Sequence, residues 1–373
     1  MIYANNAGTS WPKPPGMSEA VVASLAADPV EAAKAFEPAR DAVCRLLGIA
    51  DRERLLFTSG CTQALAVGIE DLPWREGDVI VTSSLEHHAV VRPARKLERE
   101  RGVSHVAAPY RDGEPVDLDF VRDVLGRGRV RLLAVSAASN VTGELLPIDE
   151  LAALAHEHDA LCLVDAAQAV GIVPVDVEAS GADMIAFAGH KGPLGPQGIG
   201  ALWARPGVEF ESPAASCNIG ERSAARQPCS PFPGYCDVGG LNLAGAAALA
   251  ASVEWVLVRG VDEVGGHGRA LASRLRAGLR ERKGCTVYGV DDDARRTAAV
   301  SIELDGLPVA RAESFFLERG IIVRAGEHCA PTALESIGAP GGTIRISFGS
   351  FNTADDVDAV LASIDEARAD CGS

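Results

Sequence analysis

The sequence lacks a Cys-x-x-Cys pair, and it lacks an apolar run near the roughly 20 residues that a membrane-spanning helix needs. Its nine cysteines are an odd number and are scattered, so we expect mostly free thiols in a reducing compartment and no metal site. The start, MIYANNAGTSWPKPP, lacks the charged-then-apolar order of a signal peptide. We therefore expect a cytoplasmic protein.

The chain also has fewer basic than acidic side chains, with 35 Lys and Arg against 51 Asp and Glu and a net charge of -16. Nucleic acid and anionic membrane surfaces repel such a chain, so we expect neither as a partner. The 373 residues are 47% hydrophobic, which is enough for a large core. Chemistry on a small molecule is the function class that remains.

Apolar, β-rich runs alternate with helical patterns through the first two thirds of the chain. This alternation predicts an α/β fold with a mostly parallel, doubly wound sheet and helices on both faces. The predicted strands are residues 78–82, 130–136, 161–165, 184–188 and 199–203, and the predicted helices between them are residues 63–70, 88–101, 118–125 and 148–158.

Two long helical patterns follow, at residues 245–259 and 261–281, and then the character of the sequence changes. The segments AAVSIEL, IIVRAG and TIRISFG, with helices at 308–319 and 354–369, predict a compact α+β unit. We expect a large domain of residues 15–257 and a smaller one of residues 258–373, which residues 1–14 join.

Lys191 lies just beyond an apolar run, in the segment MIAFAGHKGPLGPQGIG, and Asp165 ends the run LCLVD. A turn lysine in solvent and a helix-capping aspartate are the ordinary explanations of each residue alone. Together, at the ends of neighbouring strands, they suit pyridoxal phosphate (PLP): the lysine forms a Schiff base and the aspartate keeps the ring nitrogen protonated. Such a lysine must be partly desolvated.

A loop that leads into a helix at residues 59–63 is the candidate phosphate site. The first backbone N–H groups of a helix are unpaired and its dipole favours an anion. An ordinary capped helix start would have the same sequence, so this signal is weak by itself.

Several segments in order resemble the class-V aminotransferases, the fold type I PLP enzymes, and specifically the cysteine desulfurases. They are TSGCTQAL, LEHHAV, VSAASNVTG, VDAAQAVG and GHKGPLGPQGIG. The resemblance implies Lys191 as the Schiff-base lysine and Asp165 at the ring nitrogen. It also implies a ring-stacking His87, a ring- and substrate-contacting Asn140, Gln168 near the ring hydroxyl, and phosphate neighbours Cys61, Thr62 and His190.

The segments GEHCAP and TIRISFGSFNT extend the resemblance toward the C-terminus. They imply that Arg345 binds the substrate carboxylate through its planar guanidinium and that Cys329 is the sulfur-accepting nucleophile. The implied reaction converts L-cysteine to L-alanine with a persulfide on Cys329. The implied partners are a second copy of the chain in a homodimer and a sulfur-acceptor protein or small-molecule pathway.

The sequence departs from the family around the phosphate site. Asn5 and Gly8 stand where an aspartate and an alanine are usual, and Ala188 replaces a hydroxyl donor. The segments SCNIG (216–220), before Gln227 and Pro228, and DVGG, with Gly240 in place of a threonine, also differ. Asn218, Arg222 and Arg226 are the candidate substitutes.

These departures leave other functions open. One alternative keeps PLP but changes the reaction to β-elimination, transamination, epimerisation or a carbon–carbon step. Another is a non-catalytic scaffold that retains only the fold. Formation of alanine, together with a persulfide on Cys329, distinguishes desulfuration from both of these alternatives.

Overall fold

The computed structural model describes residues 1–34, 36–111, 113–211 and 241–370. Its strands, in chain order, are β1 (Ile2–Tyr3), β2 (Leu55–Thr58), β3 (Val79–Ser83), β4 (Ser104–Ala108), β5 (Val130–Ser136), β6 (Leu161–Asp165), β7 (Met184–Ala188), β8 (Gly200–Ala204), β9 (Cys285–Val287), β10 (Ala299–Leu304), β11 (Ile321–Ile322), β12 (Arg324–Gly326) and β13 (Thr343–Ser347).

The helices of the same residues are α1 (Met17–Ala26), α2 (Pro29–Ala33), α3 (Phe36–Leu47), α4 (Cys61–Glu70), α5 (His88–Arg101), α6 (Leu118–Gly126), α7 (Ile148–Glu157), α8 (Leu243–Arg259), α9 (Val261–Arg280), α10 (Val309–Glu318), α11 (Pro331–Ser336) and α12 (Ala354–Asp370). No single helix among the described residues is long and apolar enough to span a membrane. The pair α8 and α9 passes that test jointly, by length and composition, but is bent by 82° at its break.

A seven-stranded sheet in the order β2-β8-β7-β6-β5-β3-β4 is the centre of the fold. Strand β8 pairs antiparallel with both β7 and β2, while the other pairs are parallel. The carboxyl ends of β2, β3, β5, β6 and β7 therefore share one edge. The predicted α/β fold with a mostly parallel sheet is confirmed.

Successive residues of the central strands enter two different hydrophobic cores. In β6, Cys162 and Val164 belong to the core that contains α3, α6, α7 and α8, whereas Leu163 belongs to the core that contains α4 and α5. Side chains alternate across a strand, so a strand buried on both faces must be apolar throughout. This explains why the sequence has continuous apolar runs at these positions.

The C-terminal part forms an antiparallel four-stranded sheet in the order β12-β13-β10-β9. It has its own hydrophobic core, in which Ile302 and Ile346 of the sheet pack with Leu275 of α9 and Val360 of α12. Strand β1 pairs in parallel with β11. The division into residues 15–257 and residues 1–14 with 258–373 stays a prediction.

Helix α9 approaches the segment that follows β6 so closely that residue 265 has no room for a side chain. A Cβ at Gly265 would lie 1.7 Å from the Ile172 carbonyl oxygen, whereas one at Gly266 would meet only Arg269, at 3.7 Å. We predict that Gly265→Ala lowers the free energy of unfolding by about 1–3 kcal/mol through overpacking. Gly266→Ala should raise it by roughly 0.5–1 kcal/mol through helix propensity. Urea unfolding of the two variants measures both changes, and equal effects would contradict the close packing.

Candidate functional site

A cavity of about 630 Å³ opens at the carboxyl-terminal edge of the seven-stranded sheet and reaches the four-stranded sheet. The connections after β2, β3, β5, β6 and β7 supply one wall, and β12, β13 and the segment between β12 and α11 supply the other. All ten site residues that the family resemblance implies line this cavity: Cys61, Thr62, His87, Asn140, Asp165, Gln168, His190, Lys191, Cys329 and Arg345.

Asp165 ends β6, and only 6% of the residue is exposed. Its Oδ1 accepts hydrogen bonds from the Ala167 backbone N–H at 2.9 Å and from the Cys61 thiol at 3.4 Å. Both donors act on the same oxygen, so they restrain the rotation of the carboxylate. Gln168, three residues further, donates its amide to the Ala7 carbonyl at 2.9 Å.

The glycine-rich loop holds Lys191 in place by backbone contact. A Cβ at Gly192 would lie 2.1 Å from the Val170 carbonyl oxygen, so this position requires glycine. The Ser10 backbone and hydroxyl both donate to the carbonyl of His190, at 2.9 and 3.0 Å. Burial lowers the pKa of Lys191, and the charge of Asp165 opposes this shift.

His87 caps the N-terminus of α5, and its Nδ1 accepts the Ala89 backbone N–H at 3.0 Å. Burial lowers the pKa of His87 to about 4, with Asp165 opposing, so the ring is neutral at physiological pH. The preceding Glu86 is buried, and its carboxylate accepts the hydroxyls of Ser83 at 2.5 Å and Ser136 at 2.6 Å. Glu86 also accepts the Ser136 backbone N–H at 2.9 Å, so it ties the turn that carries His87 to the end of β5.

The N-terminus of α4 faces the cavity without a side-chain cap. Its N-cap residue, Gly60, provides no side-chain acceptor, and Cys61 and Thr62 begin the helix. The nearby Nδ1 of His190 is buried and has no hydrogen-bond partner in the described part of the chain. Burial, together with the charges of Lys191 and Lys13, lowers the pKa of His190 to about 4. This end of the cavity therefore suits an anion.

Arg345 lies in β13 with 4% of the residue exposed. Its guanidinium donates to the Asn140 carbonyl at 2.8 Å and to the Asn5 side-chain oxygen at 3.3 Å. Among the described residues, no Asp or Glu forms an ion pair with it. Burial and the neighbouring Arg324 lower the pKa of Arg345 to about 10, which leaves it charged at neutral pH. A buried charge without a carboxylate partner suits an anionic ligand.

Cys329 is exposed, in the turn between β12 and α11. The backbone φ angles of His328 and Cys329 are 51° and 56°, in the left-handed region that non-glycine residues rarely adopt. Asn140 donates its amide to the His328 carbonyl at 2.8 Å, and the His88 backbone N–H donates to the Cys329 carbonyl at 2.8 Å. The thiol-bearing turn is thus held against the cavity.

The sequence profile of the family Aminotransferase class-V matches residues 17–360 of this chain. The chain belongs to the class-V aminotransferase family. Its similar curated relatives include proteins named "Probable cysteine desulfurase" from Pseudomonas aeruginosa and Halobacterium salinarum. The first is 37% identical over 341 residues, which cover 90% of this chain and 83% of that protein. The second is 34% identical over 346 residues, which cover 91% of this chain and 82% of that protein.

Solved structures of proteins named cysteine desulfurase share the same architecture. The apo structure of cysteine desulfurase from Thermococcus onnurineus NA1 has a TM-score of 0.90 and 28% identity, and covers 98% of this chain and 94% of that chain. The cysteine desulfurase CsdA (S-sulfonic acid) from Escherichia coli has a TM-score of 0.90 and 26% identity, and covers 99% and 95%.

Members of this family depend on PLP, and the cavity fits that cofactor. It combines a desolvated lysine, Lys191, with a carboxylate, Asp165, that is held by two hydrogen bonds. The uncapped start of α4 and the unpartnered Nδ1 of His190 suit the phosphate. Ala188 lies in the wall and offers no hydroxyl.

Sequence reasoning missed three residues of the site: Glu86, Arg324 and His328. Glu86 precedes His87 in the quoted LEHHAV segment, but its partners Ser83 and Ser136 are revealed only by the fold. The segments 216–220 and 237–240, together with Arg222, Arg226, Gln227 and Pro228, lie outside the described residues.

The buried Glu86 gives the stability of the protein a pH dependence. Burial raises the pKa of Glu86 from 4.5 to about 7, although hydrogen bonds from Ser136 and Ser83 oppose this shift. Between these two values the folded state keeps a proton that the unfolded state releases, so the carboxyl's contribution to stability falls as the pH rises. We predict that the stability of the wild type relative to Glu86→Gln decreases from pH 4.5 to pH 7.

Thermal unfolding of the two proteins across this pH range measures the difference. The exposed Glu178→Gln provides the control for loss of a negative charge at the surface. A stability of the wild type relative to Glu86→Gln that stays constant or rises from pH 4.5 to pH 7 would contradict the raised pKa.

Proposed function

We propose that the chain is a PLP-dependent cysteine desulfurase, which converts L-cysteine to L-alanine and transfers the sulfur to Cys329. The observation that carries the proposal is that one cavity is lined by Lys191, Asp165, Arg345 and Cys329. Similarity to proteins named cysteine desulfurase over nine tenths of the chain supports it.

Substrate binding begins with Arg345 in this proposal. Its buried guanidinium binds the carboxylate of cysteine, and a planar fork of N–H donors gives that contact a defined orientation. The contacts of Arg345 to Asn140 and Asn5 fix the guanidinium before the substrate arrives. The substrate's amino group is then directed toward Lys191.

Lys191 holds the cofactor and moves the proton at the substrate's α-carbon. Burial lowers the pKa of its amine, so more of it is neutral and able to accept a proton. When bound, PLP supplies an electron sink for the electron pair that the departing proton leaves. Asp165 would hold a proton on the ring nitrogen of the cofactor, and His87 would lie against its ring.

Cys329 carries out the sulfur transfer. Its thiolate attacks the sulfur of cysteine, a sulfur–sulfur bond forms, and the bond between sulfur and the β-carbon breaks. The electron pair of the broken bond stays on the substrate, whose β-carbon takes up a proton. Lys191 returns the proton to the α-carbon, and the product leaves as alanine. The sulfur remains on Cys329 as a persulfide, and a sulfur-acceptor protein or small-molecule pathway receives it.

Incubation of the purified protein with L-cysteine tests this function. We predict alanine as the amino-acid product and a mass increase of one sulfur atom on the peptide that contains Cys329. Cys329→Ala should abolish alanine formation, and Lys191→Ala should abolish the visible absorbance of the bound cofactor. Cys285→Ala, which removes a thiol in β9 outside the cavity lining, is the matched control.

Two results would overturn the proposal. Pyruvate as the product, or turnover that survives Cys329→Ala, would identify a different PLP reaction such as β-elimination. A purified wild type without visible absorbance, even after incubation with PLP, would indicate a non-catalytic scaffold.

We also propose that the protein is a cytoplasmic homodimer, as the family resemblance implies. Helices α1 and α2 expose the aliphatic side chains of Val22, Leu25 and Val30, which an interface between copies would bury. Light scattering should give twice the chain mass of 38.8 kDa. A mass of one chain at micromolar concentration would contradict the dimer.

A further inference from the structure

The backbone of the turn that carries Cys329 is in an unfavourable conformation. His328 and Cys329 are consecutive non-glycine residues with φ angles of 51° and 56°. Such residues persist in the left-handed region only where surrounding contacts impose it. The contacts that hold these two residues therefore decide where the Cys329 thiol lies.

Two hydrogen bonds from outside the turn hold its two carbonyl groups. The His88 backbone N–H donates to the Cys329 carbonyl at 2.8 Å, and the Asn140 side-chain amide donates to the His328 carbonyl at 2.8 Å. On the other side, the His328 ring nitrogen Nε2 lies 2.9 Å from the Thr343 hydroxyl. The turn is fixed from both walls of the cavity.

Both external donors lie on segments that follow strands of the seven-stranded sheet, and residues of both segments line the cofactor cavity. His88 is the first residue of α5, directly after His87, and Asn140 follows β5. The carbonyl of Asn140 accepts the Arg345 guanidinium, so the same residue also contacts the predicted carboxylate-binding group. A shift of either element would move the thiol-bearing turn.

We propose that the backbone N–H of His88 and the side-chain amide of Asn140 form a clamp that positions Cys329 for sulfur transfer. The name clamp refers to these two donors and their two acceptors. The significance of the clamp for catalysis rests on the proposed function, because that proposal makes Cys329 the nucleophile. The existence of the clamp as a restraint on the turn does not rest on that proposal.

The orientation of Asn140 follows from the clamp. A carbonyl oxygen only accepts hydrogen bonds, so the amide nitrogen of Asn140 must face His328. The amide oxygen Oδ1 is then turned away, and it is buried without a partner in the described residues.

His88→Pro removes one arm of the clamp and leaves the helix intact. Proline is favoured at the first helical position, where its missing N–H has no helical partner. The preceding His87 has φ −70° and ψ 153°, the extended conformation that a residue before proline adopts. His88→Ala is the matched reference, because it removes the same side chain but keeps the N–H.

We expect a kcat for alanine formation that is about two- to tenfold lower in His88→Pro than in His88→Ala, which corresponds to one neutral hydrogen bond. KM for cysteine and the visible absorbance of the bound cofactor should be the same in both variants. A lower kcat with the same KM and the same absorbance distinguishes positioning of the nucleophile from a general disturbance of the cavity.

Hydrogen–deuterium exchange gives a readout that does not depend on activity. Deuterium uptake in the peptide of residues 326–331 should be higher in His88→Pro than in His88→Ala. Ser336→Ala, which removes a hydroxyl bond to the Thr332 carbonyl within α11, should leave this uptake at the wild-type level. Equal uptake and equal kcat in the two His88 variants would overturn the clamp.

Asn140→Asp tests the second arm and decides the question if His88→Pro does not fold. Aspartate keeps the volume of asparagine but cannot donate when ionised, so uptake at residues 326–331 should rise as it does in Asn140→Ala. Wild-type uptake in Asn140→Asp would overturn the proposal. Raised uptake without Cys329-dependent alanine in the wild type would support the clamp and reject the desulfurase function.

Discussion

The burial of Lys191 beside Asp165 is the constraint on which the rest of the site depends. An amine taken out of water loses its preference for the charged form, and only a nearby carboxylate restores part of that preference. Burial is the larger influence on the pKa of Lys191, and Asp165 opposes it. The pair is brought together because β6 and β7 are parallel neighbours whose carboxyl ends meet at one edge.

A polar seam between the two larger sheets positions the far wall of the cavity. The seam consists of residues 139–144 and their hydrogen-bond partners on β10 and on the residues before β10. The Ser301 hydroxyl donates to the Val141 carbonyl at 2.7 Å, and the Thr297 N–H donates to the Gly143 carbonyl at 2.7 Å. Gly143 has a φ of 78°, and a Cβ there would lie 2.5 Å from the Ala299 carbonyl oxygen. Only glycine permits this approach.

Arg296 also stabilises the polar seam. It is 1% exposed and donates to the carbonyls of Thr142, Val290 and Tyr288. A buried guanidinium is costly unless its donors are satisfied, so this set of contacts specifies one relative placement of the segments that it joins. Asn140 lies two residues from Thr142, so its position toward Arg345 and the Cys329 turn follows from the same hydrogen bonds.

The sequence predicted the elements whose pattern is local. The strands at 130–136, 161–165 and 184–188 and the helix at 88–101 have the predicted bounds, because continuous apolar runs and strong helical periodicity mark them. Strands β2 and β4 were missed. Strand β2 has only four residues, and β4 is a half-exposed edge strand whose sequence, SHVAA, has no apolar run.

The site was predictable where a motif carries the chemistry and not where a contact joins distant segments. All ten predicted residues line the cavity, but their roles stay predictions. The bonds of Glu86 to Ser136 and of Asn140 to His328 connect residues 50 and 188 positions apart. No local pattern encodes such pairs. The first arises from the pairing of β3 with β5 within one sheet, and the second from the packing of one sheet against the other.

Among the described residues, two cysteines line the cavity, and they illustrate the same limit. Both Cys61 and Cys329 lie near glycines in the sequence, and sequence alone does not separate a reactive thiol from an inert one. In the structure, Cys61 is buried beside Asp165, and burial and that negative charge raise its pKa well above the usual value. A thiol that keeps its proton is a poor nucleophile but can still donate a weak hydrogen bond, as Cys61 does to Asp165. Cys329 is exposed and lines the cavity, which is consistent with its proposed part as the sulfur-accepting thiol.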